Sequence, residues 1–289
     1  MDVPQRLLEA GFSRVVVLSG PECGEEAETI ILALWRYEAE EEPVCGDAWV
    51  HPYYFASQRA YMAATSLVRE AQTAGIPLTL RDEIRVKPIF ARLPRFSQGR
   101  NTLSYVEGMG SRFHVQIMTL NRPLAPTHQL EPAPHGLHCG SCRLCLEQCP
   151  TKALDDDGFH RELCLRNWMM PGQRVPEPIR EAMGCRLIGC DACQRCCPHN
   201  APPKESRHTP VPMKLILTDP KAASAALRDQ IGANLVIPNR LLSQACIMAG
   251  STGRTDLLPE LRSLVNHPSA TVREHAAWAV QQITKRANE

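Results

Sequence analysis

Ten of the thirteen cysteines fall between residues 139 and 198, and their spacing is the part of the chain best suited to chemistry. One run reads Cys139-x2-Cys142-x2-Cys145-x3-Cys149-Pro150, and a second reads Cys190-x2-Cys193-x3-Cys197-Pro198. A 4Fe–4S cubane needs a thiolate at each of its corners. One loop turning around it supplies three at two-residue intervals, and the Cys-Pro after them reaches a second cluster. Cys139, Cys142 and Cys145 are thereby assigned to a first cluster and Cys149 to a second. By the same logic Cys190 and Cys193 join the second cluster and Cys197 crosses back to the first. Cys164, between the runs, completes the second set, leaving Cys185 and Cys196 as surplus.

Paired C-x2-C units also bind zinc, and dense cysteines also form disulfide frameworks. Zinc ligand pairs ask neither for a succeeding proline nor for an exchanged fourth cysteine, so the two C-x3-C-P endings favour iron–sulfur clusters.

The elements that must carry these runs fit in 289 residues, enough for two to three domains. A hydrophobic content of 44% against 22% charged residues excludes wholesale disorder. No basic stretch leads into a long apolar run, so no signal peptide or membrane span is expected, and cluster-type cysteines place the protein in a reducing cytoplasm. Residues 200–289 carry eleven Lys and Arg against seven Asp and Glu, a modest invitation to a polyanion.

In chain order, a short helix ending at Gly11 leads into the β-rich run Phe12–Leu18, and Thr29–Leu34 is a second buried strand. The acidic run Glu38–Glu42 reads as a solvated loop, and the isolated Cys23 and Cys45 as apolar fillers. Apolar positions at Ala60, Ala63, Ala64, Leu67, Val68 and Ala71 mark a long helix from the aromatics at 53–55 to Ala74, capped by Gly75. The alternating stretch Phe113–Leu120 is a strand. Before it, Gln98–Thr102 and Val106–Ser111 are glycine-bearing loops whose amides either meet a ligand or merely close tight turns. Residues 121–138 read as a proline-rich linker. After Pro203 the chain turns helical, with a helix–Pro turn–helix unit of HEAT type at 257–280 and a preceding helix at Asn239–Ala249. Such helices cannot bury their apolar faces alone, so the tail must dock on the cluster domain or a partner. The expected division is 1–125, an α/β-type cofactor domain; 126–205, a double-cluster ferredoxin-like module; and 206–289, HEAT-like helices, giving an α+β protein.

From about residue 50 onward the chain resembles epoxyqueuosine reductase and its double-cluster relatives, with a more distant likeness to cobalamin-dependent reductive dehalogenases. Cys139–Pro150 and Met183–Pro198 carry the resemblance most specifically, supported by Gly99-Arg100-Asn101-Thr102 and Gly108-x-Gly110-Ser111. It implies the same ligand partition: Cys139, Cys142, Cys145 and Cys197 for one cluster, and Cys149, Cys164, Cys190 and Cys193 for the other. It further implies cobalamin under the loops bearing Gly99, Arg100, Asn101, Gly108, Gly110 and Ser111, with reduced cobalt attacking the epoxide of a tRNA anticodon nucleoside. An external donor of ferredoxin or flavodoxin type would feed the clusters.

Two departures stand out. The family's proton-donating aspartate aligns with Arg85, and arginine cannot serve as an acid at neutral pH. The family's Gly-Leu-Gly is here Pro94-Arg95-Phe96. The expectation is therefore an iron–sulfur reductase resembling epoxyqueuosine reductase, acting on an organic or tRNA-borne substrate. The alternative is a ferredoxin-like carrier that has lost cobalamin and docks a partner enzyme. A third reading, weaker still, is a tRNA- or protein-binding scaffold with structural clusters.

Overall fold

The computed structural model describes residues 1–41, 46–132, 139–170 and 172–288. Glu42, Cys45 and the end of the 121–138 stretch lie outside them. The first half runs α1 (Val3–Glu9), β1 (Arg14–Ser19), β2 (Thr29–Arg36), β3 (Trp49–Val50), α2 (Pro52–Thr73), β4 (Leu78–Leu80), α3 (Val86–Phe90), β5 (Phe96–Gln98), β6 (Ser104–Val106) and β7 (Phe113–Leu120). The second runs α4 (Leu144–Glu147), α5 (Leu165–Trp168), α6 (Glu177–Glu181), β8 (Arg186–Ile188), α7 (Ala192–Arg195), α8 (Met213–Thr218), α9 (Pro220–Ile231), α10 (Pro238–Thr252), α11 (Leu258–Leu264) and α12 (Ala270–Ala287).

The chain forms two compact units with interleaved segments, a different cut from the three consecutive segments expected from sequence. Unit 1 comprises Met1–Glu38, Phe55–Leu144 and Cys197–Ala201; unit 2 comprises Ala39–Tyr54, Cys145–Cys196 and Pro202–Glu289.

Unit 1 is built on an antiparallel sheet ordered β1-β2-β7-β4. Strand β2 is buried over Thr29–Leu34, and both sheet faces are covered, which is why it reads as an unbroken apolar run. Ile31, Ala33, Met118 and Leu120 meet the Ala60, Ala64, Leu67, Val68 and Ala71 stripe of α2. Spacings of three and four place that stripe on one side of the helix. On the opposite face, Leu32, Leu34 and Ile117 pack with Phe90, Leu93, Phe96 and Val106. The Phe90 and Phe96 rings stack at 4.8 Å. That layer seats the β5–β6 hairpin on the sheet, and the hairpin carries the site.

The proline-rich stretch after β7 is not a free tether where it is described. Thr127 N–H donates to Val17 O and Thr127 Oγ1 accepts from Val17 N–H, each at 2.9 Å, so this segment runs along the edge strand β1. Edge strands leave such groups open to pairing.

In unit 2 the tail docks as its apolar faces require. Helix α10 is buried from Leu241 through Gly250, and its Gln244 bonds Met170 N and Arg186 O. Ser251 Oγ accepts from Gly184 N–H. Trp278 Nε1–H donates to Glu177 while its ring faces the Arg180 guanidinium at 4.9 Å. Glu38 and Glu41 are exposed, as a solvated acidic run requires, but Glu40 departs from it. It is only 5% exposed, with His208 Nδ1 at 2.7 Å and Ser206 Oγ–H donating at 2.8 Å. A carboxylate is buried only when paired in this way.

Candidate metal centre

The loop joining β5 to β6 is tied to itself by Gly99 N–H to Leu103 O and Thr102 N–H to Gly99 O. That shape turns its remaining donors outward. Arg100 N–H meets Cys139 Sγ at 3.3 Å, and the Arg100 guanidinium bonds Gly140 O at 2.9 Å. Buried Asn101 donates from Nδ2 to the Tyr105 oxygen at 2.9 Å, leaving the Tyr105 O–H to donate to Cys197 Sγ at 3.2 Å. Burial and then the contact with Cys197 push the Tyr105 phenol far above its usual range, so it stays a proton donor. Gly99 is required by close approach: a methyl there would sit 2.6 Å from the Tyr105 ring and 2.7 Å from Asn101 Oδ1. One loop thus touches a sulfur from each cysteine run, although the two lie 58 residues apart.

The second glycine loop grips the segment just after Cys197. Ser111 N–H donates to Asn200 Oδ1 at 2.8 Å, Asn200 Nδ2 returns a bond to Ser111 Oγ at 3.0 Å, and Arg112 bonds Ala201 O. Gly110 has φ +73°, and any Cβ there would lie 2.3 Å from Asn200 Oδ1. Arg100, Asn101, Gly110 and Ser111 therefore hold the cysteine segments in place, while Gly108 faces open space.

Beside this bracing is a cavity of about 280 Å³, walled by Arg95, Phe96, Tyr105, Val106, Gly108 and His199. Arg95, where the resemblance calls for glycine-rich backbone, is left-handed at φ +65°, an uncommon conformation for a side-chain-bearing residue. Arg85 stands exposed at the N-cap of α3, and nearby Asp82 accepts from Gln116 Nε2 at 3.3 Å.

Unit 2 gathers the other sulfurs. Cys145, Leu146 and Leu154 form an apolar cluster with Cys193 and Cys196 against it. Cys149 Sγ accepts from Ala153 N–H at 3.2 Å, and Cys164 sits at the N-cap of α5. Burial pushes the Cys190 thiol up to about 11 and Cys193 well above the ordinary range, the latter reinforced by negative charge at Cys190, Cys164, Cys145 and Cys149. Buried thiolates close to one another need compensating cations, which an iron core would provide. Asp191 is fully buried here; His51 at 3.6 Å and Arg195 at 2.9 Å overcome the desolvation and keep its carboxyl below its usual range. All twelve described cysteines are free thiols. Among the described residues no group of three or more His, Cys, Asp or Glu is set to hold a metal ion. No described helix is long and apolar enough to cross a membrane.

Tyr105, His199 and Asn200 escaped the reading from sequence, although the Cys-Pro preceding the last two flagged the neighbourhood.

Together the cysteine geometry and its bracing define an iron–sulfur protein, and residues 138–200 match the 4Fe-4S double cluster binding domain family. The chain resembles epoxyqueuosine reductase. It is 30% identical over 208 residues to that of Alicycliphilus denitrificans, spanning 64% of this chain and 55% of the relative's length. The structure of epoxyqueuosine reductase from Bacillus subtilis superposes with TM-score 0.75 over 98% of this chain and 89% of that one, at 18% identity. A structure of epoxyqueuosine reductase with a tRNA-Tyr epoxyqueuosine-modified tRNA stem loop gives TM-score 0.74, with the same identity and coverage. The chain thus has that fold, and it spans about half the length of the curated relative.

Proposed function

We propose that this chain is an iron–sulfur oxidoreductase of the epoxyqueuosine reductase type. Cys139, Cys142, Cys145 and Cys197 hold one 4Fe–4S cluster, and Cys149, Cys164, Cys190 and Cys193 hold the other. The observation that carries this reading is the single loop, Gly99–Tyr105, that donates to Cys139 and to Cys197. Hydrogen bonds to ligand sulfurs orient thiolates and disperse their charge, which suits a cluster better than free thiols. An external donor of ferredoxin or flavodoxin type loads the clusters, and the acceptor sits at the cavity beside Tyr105.

Loss of an epoxide oxygen as water consumes two electrons, which two one-electron clusters would deliver in succession, and two protons drawn from solvent. The cavity is small beside a corrinoid. Phe96, Val106 and Gly108 would hold an edge of cobalamin, which when bound supplies a strongly reducing metal centre. Phe96 and Val106 would shield a group held there from water, and the Tyr105 ring would stand between it and Cys197. Arg85 is no proton donor. The tRNA stem loop bound by the structural relative makes a tRNA-borne epoxide the first substrate to try. The carrier reading draws on two features: Arg85 at the aspartate position, and loop donors already committed to the cysteine segments.

Anaerobically purified protein should contain about eight irons and about eight sulfides per chain. Zinc in their place, or about four irons, overturns the reading. Tightly bound cobalt together with turnover of epoxyqueuosine-containing tRNA supports the reductase. Eight irons with no cobalt, no tRNA turnover and ready electron exchange with generic acceptors supports the carrier.

A further inference from the structure

Tyr105 has two faces. Its hydroxyl donates to Cys197 Sγ at 3.2 Å, and its ring is part of the cavity wall, edge-on to His199 at 6.1 Å between centroids. The residue is 5% exposed, and Asn101 Nδ2–H occupies its oxygen as an acceptor. Ser111 also reaches the Tyr105 oxygen, and with Asn101 donating to it the phenolic proton lies toward Cys197, the stronger of the two remaining contacts. A hydrogen bond donated to a ligand sulfur stabilises the reduced, more negative cluster over the oxidised one and so raises the potential.

We propose that Tyr105 is a positioning residue that raises the potential of the cluster held by Cys197 and so makes it the exit toward the cavity. With both clusters bound, an electron entering the protein would settle on the one that Cys197 holds. From there its path to an acceptor crosses one sulfur, one hydrogen bond and one aromatic ring. The transferred electron is the only species that moves: Tyr105 keeps its proton, and the one-electron acceptor in the cavity is reduced as the cluster is oxidised. The inference rests on the ligand assignment proposed for the two clusters.

The test is an EPR-monitored redox titration of the full reconstituted chain and of Tyr105→Phe, which keeps the ring packed against Gly99 and deletes only the oxygen. One cluster's potential should fall in the variant while the other's is unmoved. After exchange into deuterium oxide, that same cluster should show one exchangeable proton coupling fewer than wild type. Tyr105→His, which restores a ring N–H, should bring the potential back toward wild type, and it carries the measurement if the Phe variant sheds a cluster. Unmoved potentials, or an equal shift of both clusters, overturn the inference and leave the ligand assignment standing. A wild-type chain holding about four irons overturns both.

Discussion

The sulfurs of the two units are held by different physics. In unit 1, Cys139 and Cys197 receive directed hydrogen bonds from Arg100 N–H and the Tyr105 hydroxyl, at the margin of a cavity. In unit 2, burial is the leading influence on Cys190 and Cys193, and Leu146 and Leu154 pack against the same group of cysteines. A polar margin tunes and exchanges; an apolar interior insulates. Under the proposed ligand assignment, directed donors reach the first cluster at Cys139 and Cys197, and burial surrounds the second at Cys190 and Cys193.

The largest expected effect tests which adjacent cysteine is the ligand. Cys197→Ala should cost about four of about eight irons per chain, whereas Cys196→Ala should cost none. Iron analysis of the two variants showing the reverse would replace Cys197 of unit 1 with Cys196 of unit 2 as the fourth ligand and detach Tyr105 from the cluster.

Next is acid sensitivity in the interior of unit 2. Burial, then the charges of Arg180 and Arg174, push the His275 imidazole down to about 4; Nδ1 faces Ser243 Oγ at 2.6 Å, and Nε2 accepts from Val175 N–H. An unfolded histidine takes a proton below about 6.5, whereas the folded one refuses it until about 4. Stability is therefore complete above about pH 6.5 and falls by about 3 kcal/mol as pH drops toward 4. Thermal unfolding at several pH values should show this slope in wild type and lose it in His275→Asn.

Gly99→Ala sharpens the unit 1 side. Its methyl has nowhere to go but into the Tyr105 ring, so it should cost about 2 kcal/mol by overpacking. It should also speed oxygen bleaching of one cluster, read in denaturant melts and absorbance decay. The smallest effect belongs to Thr102, a β-branched residue at φ +61°. Thr102→Gly should relieve strain worth about 1 kcal/mol and leave iron content unchanged.

The sequence exposed what is local. Strand β7 was legible as alternation over Phe113–Leu120, α2 as a stripe of small and aliphatic residues, and the cluster cysteines as spacing. What stayed hidden depends on long-range partners. Nothing around Tyr105 announces a contact with Cys197, which is 92 residues away. Glu40 sits in an acidic run that composition assigns to water, yet its partners Ser206 and His208 come from the far side of the cysteine region. Gly99, Gly110 and their neighbours were legible as special backbone, but pattern alone cannot say whether such backbone meets a ligand or another segment of the protein.

The return of Cys197–Ala201 to unit 1 bears on how this protein can be dissected. A truncation ending at Leu144 keeps the whole sheet yet discards Asn200, the partner of Ser111, together with the thiol that Tyr105 addresses. Splitting the gene between coding halves would therefore yield a fragment with a gap in its own wall. A circular permutant, or co-expression with a short peptide covering 197–201, is the route to isolating that half intact.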